Sequence, residues 1–124
     1  MQLNSAANAP VFDLPGVQFT ALASPSLGSP ETCVWQLDVA PGLVADRSHT
    51  LDQDEVFVVL DGRVQVTPGG AEVSTGDTAV ITAGEAIALS NPSDAPARLI
   101  VAIRSGFVAT MADGTPVGTP PWAA

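Results

Sequence analysis

Hydrophobic and polar positions alternate along most of the chain. Residues 31–40 read ETCVWQLDVA, which puts Cys33, Trp35, Leu37 and Val39 on one side of an extended segment and Thr32, Val34, Gln36 and Asp38 on the other. A period of two is the signature of a strand. Residues 17–23 alternate in the same way, and the apolar stretches VFVVL (56–60), TAVIT (78–82), AIALS (86–90) and RLIVAIR (98–104) predict further strands. Between them lie turn formers: Pro41-Gly42, Asp61-Gly62, Pro68-Gly69-Gly70, Gly76-Asp77, Ala83-Gly84 and the loop NPSDAP at 91–96. No stretch of ten or more residues carries a capped helical pattern. The predicted class is all-β, a sandwich or barrel of short strands.

Asp61-Gly62, set between VFVVL and RVQV, is the strongest hairpin signal, because a two-residue type I′ turn needs positive φ at both central positions. A second hairpin is expected at residues 68–70, returning along AEVS. Residues 1–16 mix Asn, Ser, Ala and Pro and read as a loose arm, residues 17–112 as the barrel and residues 113–124 as a tail that turns at Asp113-Gly114. Trp122, near the end of that proline-rich tail, either staples it to the domain or to a partner subunit, or belongs to a frayed terminus.

Composition narrows the partners. At 124 residues there is room for one core. Thirteen acidic against four basic residues give a formal charge of −9, a field that repels nucleic acid and anionic membrane surfaces alike. No apolar run approaches the ~20 residues of a spanning helix, and no basic start leads into an apolar segment, so a cytoplasmic address is expected. The single cysteine, Cys33, is expected to be a small buried hydrophobe, since no base or cation stands near it in sequence. All four cations are arginines, and Arg104 at the end of the last core strand is a candidate partner for a carboxylate ligand, for Glu55, or for an exposed ion pair.

With strands and turns in place, the spacing of Gly42, Glu55 and Gly62, followed by Gly76, Gly84 and Asn91, resembles the two signature motifs of the cupin superfamily. Where the first cupin motif has glycine, two histidines, glutamate and glycine, this chain has Gly42, Ser48, Thr50, Glu55 and Gly62. Where the second has glycine, proline, glycine, histidine and asparagine, it has Gly76, Thr82, Gly84, Ile87 and Asn91, with every interval kept. The resemblance implies a double-stranded β-helix, or jelly-roll barrel, often built as a homodimer. It also implies a metal held by three histidines and one glutamate, of which only Glu55 remains here.

His49 stands between two of the vacated positions, so strict alternation aims it away from the side that Ser48 and Thr50 take. If the loop at residues 51–54 absorbs one extra residue, His49 moves into the second histidine position, and His49 and Glu55 become candidate ligands. Asp52 or Asp54 is then a conceivable third ligand to iron, manganese, nickel or zinc. Two protein ligands make a weak site, and the expectation is no bound metal or other cofactor.

The matching cupin position of Glu55 points into the barrel. With Glu55 inward, alternation turns Phe57 and Val59 inward as well, while Ile87 and Leu89 share one face of the second-motif strand and Ser48 and Thr50 stand near the mouth. Either Trp35 or Gln36 lines the interior. Such a pocket suits a small, largely apolar metabolite, unless the side chains meet and fill the barrel completely. A carboxylate there has a raised pKa and can act as a general acid or base. The expected function is a small-molecule-binding cupin, with a metal-independent isomerase or cyclase using Glu55 as its enzymatic form. The alternatives are a metal-dependent oxygenase or lyase using His49 and Glu55, and a non-catalytic structural or regulatory domain.

Overall fold

The computed structural model describes residues 1–124 and contains eleven strands in chain order. They are β1 (Val11–Leu14), β2 (Val17–Ala23), β3 (Thr32–Val39), β4 (His49–Leu51), β5 (Glu55–Asp61) and β6 (Arg63–Gln65), followed by β7 (Glu72–Ser74), β8 (Thr78–Ile81), β9 (Ala97–Arg104), β10 (Ala109–Met111) and β11 (Pro116–Gly118). Six of them form one antiparallel sheet in the order β1-β2-β3-β9-β5-β8. The opposing layer holds β11-β10-β4 and the pair β6-β7. Residues 87–90 lie between these two pieces, Ile87 bridging to His49 and Ser90 to Gln65, so they join them into one layer. The result is a jelly-roll sandwich. No helix is long and apolar enough to cross a membrane.

The core is the space between the layers. The long central strands β3 and β9 pair along their whole length, from Thr32 with Arg104 to Val39 with Ala97. Alternation sends Cys33, Trp35, Leu37 and Val39 from β3 and Leu99, Val101 and Ile103 from β9 to the same inner face. Leu51, Val64, Val66, Ile87 and Phe107 meet them from the opposing layer in one hydrophobic cluster.

Asp61-Gly62 does not make the expected hairpin. β5 already pairs with β8 on one side and β9 on the other, so both of its hydrogen-bonding edges are occupied and β6 has no edge to join. The chain instead turns a corner into the second layer, where β6 pairs with β7 across the predicted turn at residues 68–70. Asp61 keeps a negative φ, and Gly62 alone is left-handed at +84°. A Cβ on Gly62 would sit 2.7 Å from the carbonyl oxygen of Pro96 and 2.9 Å from Cα of Ala97, both rigid backbone. Gly62→Ala is therefore expected to cost about 3 kcal/mol, combining left-handed strain with overpacking. Gly76→Ala has the same strain (φ +88°) in open space, and about 1–2 kcal/mol is expected. Urea denaturation of the two variants measures the difference, and equal losses would mean that the approach to Pro96 is not limiting.

The N-terminal segment is also more ordered than its composition predicts. Residues 11–14 add an edge strand, turning at Pro15-Gly16 to pair Val11 with Thr20 and Leu14 with Val17. Their inward aromatic, Phe12, finds Trp122 from the far end of the chain at 6.4 Å. Trp122 in turn stacks on Phe19 with ring centres 3.7 Å apart. The tail is stapled to its own domain. Ala123 is buried beside Cys33, whose thiol donates to the Ala123 carbonyl at 3.3 Å, and the Ser26 hydroxyl holds the Ala124 carbonyl at 2.7 Å.

Candidate functional site

Glu55 opens β5, and its cross-strand neighbours decide its surroundings. It pairs with Ile81 of β8 on one side and Ile103 of β9 on the other, and Ile103 pairs with Cys33 of β3. All four side chains face the interior, so the carboxyl stands in an apolar row and is only 4% exposed. No cation or hydrogen-bond donor meets it, and burial pushes its pKa from 4.5 to about 8. Burial thus favours the protonated carboxyl at pH values where an ordinary glutamate is ionised.

In the adjacent row Trp35, Val101, Phe57 and Ala79 face inward together. The Trp35 indole Nε1 is shut off from solvent there without a hydrogen-bond partner. Trp35 is thus the inward residue of its strand. Gln36 lies on the outer side, where it donates to Asp38 at 3.0 Å.

His49 also reaches the inner side. Its backbone exchanges two hydrogen bonds with Ile87, at 3.0 and 2.8 Å, and residues paired in this way project to the same face. Ile87 is buried, as is Leu51 two residues along β4, so the inner face of β4 belongs to His49 and Leu51. Burial lowers the pKa of His49. Thr50 pairs with Thr110 on the opposite face, and Ser48 lines a surface cleft of about 360 Å³ with Asp46, Arg47, Met111 and Asp113. The two hydroxyls expected near the mouth of the pocket thus lie on the side away from the one His49 takes. Leu51 claims the inward position and sets the parity of the strand behind it.

The carboxylates around the β4–β5 loop are engaged elsewhere. Asp52 accepts the Val108 backbone N–H at 2.7 Å and Asp54 that of Ala83 at 2.9 Å. Each pins the loop to a neighbouring turn, which explains the acidic cluster without an ion. No three His, Cys, Asp or Glu side chains come close enough together to hold a metal. A hydrocarbon, Ile87, stands across from His49, so the donor set does not fit a first-row metal centre. Arg104 lies on the outer face of β9 and Glu55 on the inner face of β5, which keeps the two apart.

Of the other expected pocket residues, Phe57, Val59 and Ile87 belong to the hydrophobic core and Leu89 packs against it. A second surface cleft, of about 340 Å³, runs along residues 13–18 and Asp38, Val39, Ala40 and Pro96. Neither cleft touches Glu55. Asn91 has a purely architectural duty that its spacing hinted at. Fully buried, it donates to the Ala95 carbonyl at 2.8 Å and accepts from the Ser93 backbone and hydroxyl, closing the loop before β9.

A protein-family model described as the cupin domain matches residues 35–103, more than half of the chain. This chain belongs to the cupin family. Solved structures share its architecture at low sequence identity. The polyketide cyclase RemF of Streptomyces resistomycificus is 16% identical, with a TM-score of 0.71 over 84% of this chain and 79% of that one. An RmlC-like cupin of Ralstonia eutropha is 9% identical, with a TM-score of 0.73 over 95% and 77% of the two chains. A sugar phosphate isomerase of the cupin superfamily from Silicibacter pomeroyi is 22% identical, with a TM-score of 0.60 over 86% and 78%. At these identities the likeness is one of fold. No curated protein matches in sequence. Relative to the cupin motifs, this cupin keeps the glycine turns, the glutamate and the asparagine, and carries Ser48, Thr50 and Ile87 at the histidine positions.

Proposed function

We propose that this cupin is a metal-independent enzyme of the isomerase or cyclase type, with Glu55 moving a proton on a small, largely apolar molecule. The observation that carries the proposal is a carboxyl buried in an aliphatic row with no cation or hydrogen-bond donor beside it, a burial that pushes its pKa up to about 8. A general acid or base works best when its pKa lies near the working pH. Protonated, Glu55 gives its proton to a carbonyl oxygen of the bound molecule. Ionised, it takes a proton from the carbon beside that carbonyl, and returning it to another atom completes an isomerisation. The unpartnered Trp35 N–H, one row away, is the second polar group available to such a ligand, as a donor to an oxygen that gains charge. The fold is shared with a named polyketide cyclase and a named sugar phosphate isomerase, which makes proton-transfer chemistry at a carbonyl a natural class to examine.

The test is exchange of carbon-bound hydrogen. A panel of compact enolisable ketones and hydroxyaldehydes in deuterated buffer is expected to include one whose exchange this cupin accelerates. Glu55→Gln should reduce that acceleration by about 100-fold or more while keeping the melting temperature. A second reading, a non-catalytic domain, is favoured by the packed interior around Phe57, Val59 and Val101 and by clefts that do not reach Glu55. Equal exchange by the parent and Glu55→Gln across the whole panel would establish that reading instead.

A further inference from the structure

Glu55 faces an interior that neither surface cleft enters, and one part of the enclosure differs in kind from the rest. Most of it is strands held in ladders. Against β2 and β3, on the side where Phe19 and Cys33 stand, lies instead the segment 119–124, whose Pro120 and Pro121 have no N–H to give to a sheet. A single backbone hydrogen bond, from the Ser26 N–H to the Ala124 carbonyl at 3.2 Å, joins this segment to the body of the domain. Its other bonds come from side chains: the Ser26 hydroxyl to the same carbonyl, the Cys33 thiol to the Ala123 carbonyl, and the Thr119 hydroxyl to the Phe107 carbonyl at 3.4 Å. A segment outside the ladders, with so few backbone bonds, belongs to the part of a domain that opens first.

The side chains it carries inward are of two kinds. The Trp122 indole lies nearly flat on Phe19, 15° from parallel, with Phe12 tilted at 58° beside it, a slot shaped for a planar ring. Ala123 enters the core and covers Cys33. Cys33, Ile103 and Glu55 stand in one cross-strand row, so Ala123 seals that row two strand spacings, ~10 Å, from Glu55. We propose that residues 119–124 are a displaceable plug, and that the slot they fill is a binding site for a neutral, planar aromatic molecule. Such a molecule takes the place of the Trp122 indole on Phe19, lifts Ala123 off Cys33 and gains the row that leads to Glu55. A net charge of −9 disfavours an anionic ring. The last step rests on the reading of Glu55 as the proton-transfer group; the slot and its plug stand apart from it.

Labelling of Cys33 by a thiol reagent reads the plug directly, since the chain has no other thiol and Ala123 covers this one. At low urea the parent is expected to label slowly, at a rate nearly independent of urea and about tenfold or more above what global unfolding allows, the mark of local opening. Trp122→Ala should raise that rate by about tenfold or more. Ser26→Ala, which leaves the packing in place, should raise it by about fivefold through loss of one hydrogen bond. Indole, as the probe for the slot, should accelerate labelling of the parent in a saturable manner, and Phe19→Ala should abolish that acceleration, with melting curves showing all variants folded. Cyclohexanemethanol, apolar but not flat, should leave the rate unchanged. Labelling that tracks global unfolding at every urea concentration overturns the proposal, and so does a parent indifferent to indole up to its solubility or equally sensitive to cyclohexanemethanol. None of these readouts involves turnover. Hydrogen exchange abolished by Glu55→Gln beside labelling that follows global unfolding refutes the plug and keeps the role of Glu55, whereas indole-driven labelling without exchange on any ketone keeps the plug and removes that role.

Discussion

Stability is expected to fall by about 3–5 kcal/mol between pH 5 and pH 9 on account of Glu55 alone, at 1.36 kcal/mol per pKa unit. The folded chain holds this carboxyl at a pKa of about 8, against 4.5 in ordinary surroundings. Below 4.5 both folded and unfolded chains carry the proton and the group is neutral to the balance. Between 4.5 and about 8 the unfolded chain releases the proton while the folded chain keeps it, so rising pH favours unfolding. Above about 8 both are ionised and the full cost of a buried charge persists. Against a total stability of about 5–15 kcal/mol for a domain, that is a large share. His49 acts in the opposite sense, because burial lowers its pKa and stability gained from it rises with pH up to about 6.5. Urea denaturation of the parent and of Glu55→Gln at pH 5, 7 and 9 separates the two groups, since only the parent carries the Glu55 slope. Parallel stability curves for the two proteins would refute a strongly raised Glu55 pKa.

Removal of residues 121–124 is expected to lower the melting temperature by about 10 °C, the equivalent of about 3 kcal/mol for a domain of this size. The loss combines the Trp122–Phe19 stack, the burial of Ala123 and the hydrogen bonds that Ala123 and Ala124 accept from Cys33 and Ser26. The same deletion should open Cys33 to a thiol reagent. In the intact chain that thiol is fully buried and its pKa is raised by burial, so labelling under native conditions is expected to be slow. Trp122→Ala should reproduce most of the thermal loss while leaving Cys33 partly covered by the remaining backbone. An unchanged melting temperature together with unchanged labelling would mean that the tail is not a structural part of the sandwich.

Local pattern is enough to place strands and too little to say what each strand meets. The alternation at residues 31–40 identified a strand with two distinct faces, and β3 occupies residues 32–39. That its Trp35 face is the inner one follows from β9 and the opposing layer, whose side chains cover it. At Asp61-Gly62 the glycine and its positive φ were legible. The corner in place of a hairpin was not, because it depends on β8 and β9 having already taken both edges of β5. The six residues of the two motifs that survive as turn formers, glutamate and asparagine are matters of spacing, which a sequence displays directly.

The candidate site divides along the same line. The chain by itself determined the strand periodicity, the turns and the replacement of the motif histidines by Ser48, Thr50 and Ile87, because these depend on residue type and interval. Only tertiary structure decided that Leu51 turns His49 inward and Thr50 outward, and that Asp52 and Asp54 serve backbone amides of distant turns. It also decided that Phe12 and Trp122, 110 positions apart in the chain, close one side of the sandwich together. The physical reason is common to all three. A side chain's partners in a β sandwich come from strands far away in sequence, and the free energy of burial is settled only when those strands arrive.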